Sequence, residues 1–415
     1  MTAFLSRNAT TGRLEEIVAL SNSDAFGRQR VSAPETLFDL SHLYDKQPLY
    51  VEELLVTGGT TTHLPNEAAV RMDVTTTAAS RVVRQTKRYF SYQPGKSMLV
   101  LLTGVLTDVT NTGITSRIGF FDDAADKSVD ISGNGIFFEY SGGTLKIVKR
   151  SYTTGAQVDT AVAAADWSEG DPLDGTGPSG VTFDPTKAQI FWVDLEWLGV
   201  GSVRCGIVVD GAFITLHKFH HANLISTVYM GRASLPIRYE ITRVSGATAG
   251  SMKQICATVI SEGGYTNTGR VFSRAMTATR SINTTERPLM AIRLRAGYTR
   301  ATLKALEVEL MTTSNQSMIY NLRYGSTLTG ASWVTHDSAN SGVEYDITST
   351  AFSGGRVVNS GMLSSVGKTA VNTNGDNFDA ASCNISGSAT EIVVITAVAT
   401  GNTATYGSIT WRESH

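Results

Sequence analysis

The sequence predicts an all-β protein in which two β-sandwich, jelly-roll-like domains follow an irregular N-terminal arm. Three observations carry this prediction. Short runs of alternating apolar and polar residues recur along the 415-residue chain, separated by turn residues. Charged residues make up only 17% of the chain while Gly, Ser and Thr are abundant, which favours uncharged strand faces and tight turns. Residues 188–217 have the pattern of a three-strand meander with Asp210-Gly211 as a hairpin turn.

Composition narrows the possible functions. The formal net charge of -2 gives no global attraction to nucleic acid or to anionic membranes, so neither is expected as a partner. Three cysteines far apart in sequence do not predict a disulfide framework and fit folding in a reducing cytoplasm. The N-terminus lacks the apolar core of a secretory signal, and the longest apolar run, residues 98–106, is too short to span a bilayer.

We assign residues 1–48 to the arm, extended or partly helical. Residues 14–20 could form about two helical turns before a turn-forming cluster, whereas residues 26–38 carry large apolar side chains without a clean period. Such a segment either lies on another surface or another subunit, or is a flexible leader. If it lies on another subunit, the contact residues we expect are Phe26, Arg28, Arg30, Leu37 and Phe38.

We assign residues 49–262 to the first sandwich. Strand patterns follow one another up to residue 106, and a hairpin around Gly142-Gly143 comes next. A loop rich in Gly, Pro and Asp then leads into the meander. Arg81, Arg84, Lys87 and Arg88 form a dense basic run, which we interpret as a solvated strand face or subunit contact because the chain has no positive excess.

The boundary that we predict is a linker over residues 263–270, whose composition is rich in Gly, Thr and Asn. A second β-sandwich is expected over residues 271–415, because short strand patterns at regular spacing begin again there. Residues 353–388 are rich in Gly, Ser and Asn, and we expect them to be mostly exposed loops.

The first half contains, in this order, a Gly-bounded strand at residues 136–140, a loop, the strand at residues 191–197 and the Asp-Gly hairpin. With this arrangement it resembles the concanavalin-like jelly roll of lectins and laminin-type modules. The resemblance concerns strand order over roughly residues 50–262 and implies a sandwich of two curved sheets.

Three further segments are residues 23–38 (SDAFGRQRVSAPETLF), 80–96 (SRVVRQTKRYFSYQPGK) and 235–240 (LPIRYE). Together they carry a second resemblance, to virion structural proteins of tailed bacteriophages and some large viruses. It implies a particle component without enzymatic activity or cofactor, made in the host cytoplasm and located in the virion. The partners implied are other copies of the chain, expected as a trimer, and other virion proteins in the tail, baseplate or fibre, with capsid decoration as the alternative.

Trp192, Asp194 and Glu196 are the candidate glycan-binding residues. Strand periodicity places all three on one face, where an indole can stack on a sugar and carboxylates can accept hydroxyl hydrogen bonds. The segment resembles the second half of the Glu-x-Asp-x-Glu strand of retaining glycosidases. The nucleophile position holds Trp192, however, and an indole cannot form a glycosyl ester, so binding of a host glycan is favoured over hydrolysis. A glycosidase or a metal-assisted hydrolase is the least favoured alternative. The simpler alternative is that Trp192 belongs to the core.

Two acidic segments are candidate metal sites. Asp122, Asp123 and Asp126 form one, and Asp171 and Asp174 form the other. Calcium accepts six to eight oxygen ligands from flexible loops, but neither segment fits a full calcium-loop pattern. The alternative is that these carboxylates cap their own backbone turns.

Overall fold

A computed structural model describes residues 3–7, 14–18, 32–108, 113–127, 132–246, 248–364, 368–372 and 380–414. The predicted all-β class is confirmed, since these residues form strands β1 to β28 with three short 3₁₀ helices at Pro65–Glu67, Ala124–Asp126 and Ala164–Asp166. Within the described ranges, no helix has the length and apolar character needed to cross a bilayer.

The N-terminal region contains a small antiparallel pair, β1 (Ala3–Arg7) and β2 (Leu14–Val18). The helical turns predicted at residues 14–20 are therefore wrong over Leu14–Val18, because this segment pairs with β1 across five registered positions. Phe26, Arg28 and Arg30, predicted as subunit contacts, lie outside the described residues.

The first sandwich consists of two antiparallel sheets formed by residues 35–261. The seven-stranded sheet has the spatial order β12 (Val158–Ala163), β11 (Thr144–Ser151), β10 (Gly135–Ser141), β9 (Ile114–Phe121), β16 (Ile237–Arg243), β7 (Arg81–Thr86) and β4 (Val51–Val56). The eight-stranded sheet has the order β15 (Ala212–Phe219), β14 (Val203–Val209), β13 (Gln189–Leu195), β8 (Met98–Val105), β17 (Gly250–Ser261), β6 (Ala69–Val74) and β5 (Thr60–Leu64), with β3 (Glu35–Ser41) also paired to β17. The chain crosses repeatedly between the sheets, as in a jelly roll.

Alternation along the strands builds the core between these sheets. On β13, Phe191, Val193 and Leu195 point inward and are fully buried. The ring centroid of Phe191 lies 4.8 Å from that of Phe138 on β10, in the facing sheet. The predicted meander is present as β13 to β15, and the backbone of Asp210 and Gly211 has the positive φ that this tight turn requires.

Strand β3 lies within the segment that we assigned to the arm, and it is part of the eight-stranded sheet. Leu40 is buried in the core, and the Phe38 ring centroid lies 5.0 Å from that of Phe90. Leu37 and Phe38, predicted as subunit contacts, both pack in part against the protein's own core. Both side chains therefore contribute to the first sandwich.

The second sandwich is formed by residues 270–414. Its five-stranded sheet has the order β18 (Arg270–Ala275), β28 (Thr403–Ser414), β21 (Thr302–Thr312) and β26 (Lys368–Asn372), with β19 (Arg280–Ile282) paired to β28. Its six-stranded sheet has the order β23 (Val334–Thr335), β24 (Val343–Asp346), β20 (Arg287–Leu294), β27 (Val393–Ala399), β22 (Met318–Thr329) and β25 (Ala351–Leu363). Trp411 is fully buried between them.

Strands β25 and β26 fall within or next to residues 353–388, where we predicted exposed loops. That prediction is wrong over residues 353–363 and 368–372, because β25 pairs with β22 and β26 pairs with β21. The exposed character was correctly anticipated for β25, which is half-buried or exposed along almost its whole length.

The two sandwiches contact each other through the loop before β27. The Cys383 N–H donates to the Lys87 carbonyl at 3.3 Å, and the Ile385 N–H donates to a Glu52 carboxylate oxygen at 2.5 Å. Nearby, the Ser91 hydroxyl lies 2.9 Å from the hydroxyl of Thr302. These contacts leave a cleft beside the junction.

Candidate functional site

Trp192 lies on the outer face of the eight-stranded sheet but is only 4% exposed. Its ring makes an edge contact with Phe213 on β15, with centroids 5.6 Å apart, and its Nε1 donates to the Ile207 carbonyl at 3.1 Å. Gly206 lies beneath the indole, since a Cβ there would come within 2.7 Å of the ring. The indole is thus covered by its own sheet, and Phe213, 53% exposed, is the aromatic ring open to solvent.

Asp194 and Glu196 have different environments. Asp194 is buried and forms an ion pair with Arg204, whose Nε donates to a carboxylate oxygen at 2.8 Å. Burial raises the pKa of Asp194 above its ordinary value, and the Arg204 guanidinium opposes part of that rise. Glu196 follows the end of β13 and is exposed. The three predicted glycan-binding residues are close in sequence, yet they do not form one open surface.

The acidic segment at residues 122–126 is engaged by hydrogen bonds and by basic side chains. Asp122 accepts from the Ser132 hydroxyl at 2.6 Å and from the Gly133 N–H at 2.8 Å. Asp123 pairs with Arg150 at 2.8 Å. Its other carboxylate oxygen accepts a hydrogen bond from the Ala125 N–H at 2.9 Å. This is the backbone capping that we gave as the alternative to calcium binding.

Asp126 belongs to a buried charge network on the outer face of the seven-stranded sheet. It accepts two hydrogen bonds from Arg81, at 2.7 and 2.9 Å, and one from Arg238 at 2.5 Å. Glu240 accepts from Arg81 at 3.1 Å, from Arg117 at 3.1 Å and from Arg238 at 2.7 Å. Arg238 and Glu240 are almost wholly buried. Arg81, which belongs to the predicted basic run, therefore pairs with the buried carboxylates of Asp126 and Glu240.

The electrostatics of Glu240 follow from this arrangement. Burial alone raises the pKa of a carboxyl group. At Glu240 the guanidinium groups of Arg238, Arg81 and Arg117 outweigh that effect and hold the pKa well below its ordinary value. A carboxylate held this way stabilises the fold only as long as all its partners stay in place.

Asp171 and Asp174 hold their own loop together. Asp171 accepts from the Leu173 N–H at 3.1 Å and from the Ser179 N–H at 2.9 Å, and Asp174 accepts from the Thr176 N–H at 2.9 Å. Across the described ranges, no group of three or more His, Cys, Asp or Glu side chains is placed to hold a metal ion.

Sequence reasoning missed the cleft of about 1230 Å³ beside the junction of the sandwiches. Its walls come from parts of the chain as distant as Leu49 and Ile392. The side chains that line it include Arg293, Trp333, Glu344, Asn384, Ser388 and Glu391. No local sequence motif predicts such a site. The one available signal was an isolated Trp in a turn-like stretch, Trp333.

The open edge of the six-stranded sheet was also missed. Among the described residues, β25 pairs only with β22, so its second edge is free of strand partners. The side chains of Val357 and Met362 on this strand are 46% and 77% exposed. Ile319, directly opposite Met362 on β22, is 43% exposed. Arg356 is the only charged residue of the strand.

No protein-family model and no curated protein matches this sequence. Several solved structures are similar in fold to about half of the chain. An endo-β-1,4-glucuronan lyase from the fungus Trichoderma reesei is 11% identical, covering 54% of this chain and 95% of its own, with a TM-score of 0.38. An endo-1,3-β-glucanase from Streptomyces sioyaensis is 10% identical, covering 57% and 99%, with a TM-score of 0.38. Peanut lectin is 11% identical, covering 55% and 98%, with a TM-score of 0.28. Likenesses this distant say nothing about activity or ligand.

Proposed function

We propose that this protein is a non-enzymatic structural component of a virus particle that assembles with copies of itself along β25. The single observation that carries the proposal is the open edge of β25, which extends over 13 residues with exposed apolar side chains. A free strand edge offers unpaired backbone groups to another chain, and proteins normally block such edges with Lys, Pro or short strands. β25 contains no Lys or Pro and is long, although a β-bulge against β22, two glycines with positive φ (Gly354 and Gly355) and Arg356 interrupt its edge.

Two further observations support assembly. The cross-strand pair of Ile319 and Met362 extends the apolar surface from the edge onto the sheet face. The resemblance of residues 23–38, 80–96 and 235–240 to phage virion proteins supports a place in the particle. Assembly by strand addition combines backbone hydrogen bonds with side-chain contacts. We expect a trimer, which requires β25 of each copy to meet a different surface of the next copy, since pairing of β25 with β25 would close as a dimer.

Glycan binding at Trp192 is the second candidate function, less well supported than assembly along β25. The indole that would stack on a sugar is covered by Phe213 and the sheet, and Asp194 is occupied by Arg204. A sugar approaching this face would meet Phe213 first. The variant Phe213→Ala therefore tests that location better than a substitution of Trp192, whose loss would also disturb packing.

Sedimentation velocity over a wide range of protein concentration tests assembly. Wild-type protein should form a discrete oligomer, and Val357→Lys should shift it towards monomer because a lysine blocks edge pairing. Val244→Lys is the matched control, since Val244 is 64% exposed and lies in the loop after β16. A wild type that stays monomeric at high concentration, or a control that dissociates equally, would contradict assembly along β25. Absence of the protein from purified particles, measured by mass spectrometry, would remove the virion assignment.

A further inference from the structure

The cleft at the junction of the sandwiches is large enough to hold a ligand, and hydrogen bonds hold one of its walls. Its volume of about 1230 Å³ exceeds the ~300–1,000 Å³ typical of small-molecule sites, which suits an extended ligand. One wall is the loop at residues 382–391, held by hydrogen bonds from the Asn384 Nδ2 to the Ser388 hydroxyl at 2.9 Å and from the Ser382 N–H to Glu391 at 2.9 Å. Polar groups fixed in this way need little reordering when a ligand binds.

The opposite wall presents an oriented indole. The guanidinium carbon of Arg293 lies 4.1 Å from the ring centroid of Trp333, and the Arg293 Nε donates to Glu344 at 2.6 Å. Glu344 and Arg293 sit opposite each other on neighbouring strands, β24 and β20. The ion pair thus fixes the guanidinium, and the guanidinium in turn fixes the indole. Unlike Trp192, Trp333 is partly exposed.

The charge balance of the cleft selects against charged ligands. Three acidic and three basic side chains line it. Several are occupied within the protein, since Arg293 pairs with Glu344, Lys87 donates to the Pro48 carbonyl at 2.6 Å, and Glu52 accepts from the Ile385 N–H. No net positive field is left for a phosphate or a nucleic acid strand.

From this combination we infer that the cleft binds a neutral oligosaccharide, with Trp333 contacting the apolar face of a sugar ring and with Asn384, Ser388 and Glu391 bonding its hydroxyl groups. Indole rings pack on the C–H-rich faces of sugars, while amides, hydroxyls and carboxylates exchange hydrogen bonds with sugar hydroxyls. This site is on the second sandwich and at its junction with the first, away from Trp192. It adds a recognition function to the proposed assembly.

The alternative occupant is a peptide segment from a second copy. Gly355 and Arg356 of β25 also line the cleft, so a neighbouring chain paired along that strand would pass beside it. The balanced ion pairs and the indole favour a sugar. The loop wall at residues 382–391 does not favour strand addition, because its backbone groups already bond within the loop, as the Asn384 N–H does to the Ala389 carbonyl at 3.0 Å. If a sugar occupies the cleft, filling it should abolish glycan binding. If a second copy occupies it, filling it should change the sedimentation of the oligomer.

The experiment uses an array of neutral, sialylated and sulfated oligosaccharides, followed by isothermal titration with the best neutral binder. Wild type should bind neutral glycans, and Trp333→Ala should weaken binding by about tenfold or more. Phe213→Ala, which removes an exposed aromatic ring from the first sandwich, is the matched control and should bind like wild type. Ser388→Trp fills the cleft from an exposed position and should abolish binding, which covers the case that Trp333→Ala folds poorly. Because this variant also removes the Asn384–Ser388 hydrogen bond, its thermal unfolding is measured beside that of wild type.

Three outcomes would overturn the inference. The first is that wild type binds no neutral glycan, and the second is that Phe213→Ala loses binding while Trp333→Ala keeps it. The third is that Ser388→Trp changes the sedimentation of the oligomer instead of glycan binding, which would identify a second copy as the occupant. Because glycan binding and sedimentation are measured separately, failure of this inference is distinguishable from failure of assembly along β25.

Discussion

The guanidinium carbon of Arg300 lies 4.3 Å from the ring centroid of Tyr89, across the junction between the two sandwiches. Arg300 also donates to the Asn384 carbonyl at 2.9 Å and to the Ile385 carbonyl at 2.7 Å. One side chain therefore fixes the loop that forms a cleft wall and attaches it to the first sandwich.

Arg300→Ala should loosen this junction. Loss of three charged hydrogen bonds, to Cys383, Asn384 and Ile385, and of a cation–π contact should cost about 2–4 kcal/mol of stability, and hydrogen exchange should increase in residues 380–391. Arg295→Ala is the matched control, because Arg295 lies over Tyr298 within the second sandwich, with 4.5 Å between the guanidinium carbon and the ring centroid. Unchanged protection of residues 380–391 in Arg300→Ala would contradict the role of Arg300.

Glu240→Gln should be among the most destabilising single changes. It removes the buried negative charge that Arg81, Arg117 and Arg238 share, so the free energy of unfolding should fall by about 3–5 kcal/mol. Glu67→Gln breaks an exposed pair with Lys253 and should cost at most about 1 kcal/mol. Urea unfolding of both variants measures the difference, and equal losses would show that the interior network contributes no more than a surface pair.

His42 should make stability fall in mildly acidic solution. Burial and the nearby Arg84 guanidinium lower the pKa of His42 from 6.5 to about 4. Between pH 6.5 and about pH 4, His42 is therefore protonated in the unfolded chain but neutral in the folded chain. The free energy of unfolding should fall as the pH drops from about 6.5 towards about 4, by up to about 3 kcal/mol. His42→Leu should flatten the pH dependence in this window, as measured by urea unfolding. A variant with the wild-type pH dependence would exclude His42 as the cause.

Gly206→Ala should disturb the packing beneath Trp192. The added methyl group would meet the indole and the Ile214 carbonyl, and overpacking of this kind costs about 1–3 kcal/mol. Gly231→Ala is the control, since its nearest neighbour would be the Asn134 side-chain oxygen at 3.6 Å. Equal thermal stability of the two variants would mean that the sheet accommodates the methyl group freely.

The strands could be predicted because their signals are local. Alternation identifies β13, and the Asp210-Gly211 turn fixes the register in which Val209 faces Ala212. The N-terminal helical turns were wrong because pairing with β1 decides the conformation of residues 14–18, and periodicity over so short a segment does not show the partner.

The candidate sites could not be predicted in the same way, because their partners are distant in sequence. Arg81 pairs with Asp126, which is 45 residues away in sequence, and with Glu240, which is 159 residues away. The sequence of residues 122–126 therefore does not show that guanidinium groups bind these carboxylates. The accessibility of Trp192 depends on Phe213, two strands further along the chain. The cleft exists only after both sandwiches have come together.

The position of β28 has a consequence for biosynthesis. This strand, Thr403–Ser414, lies at the centre of the five-stranded sheet and pairs with β18, β19 and β21. The ribosome synthesises β28 after β18, β19 and β21. The apolar faces of these earlier strands therefore stay uncovered until residue 414 has left the ribosome. Nascent chains stalled before residue 403 should thus be strong chaperone clients, with a completed first sandwich and an unassembled second one.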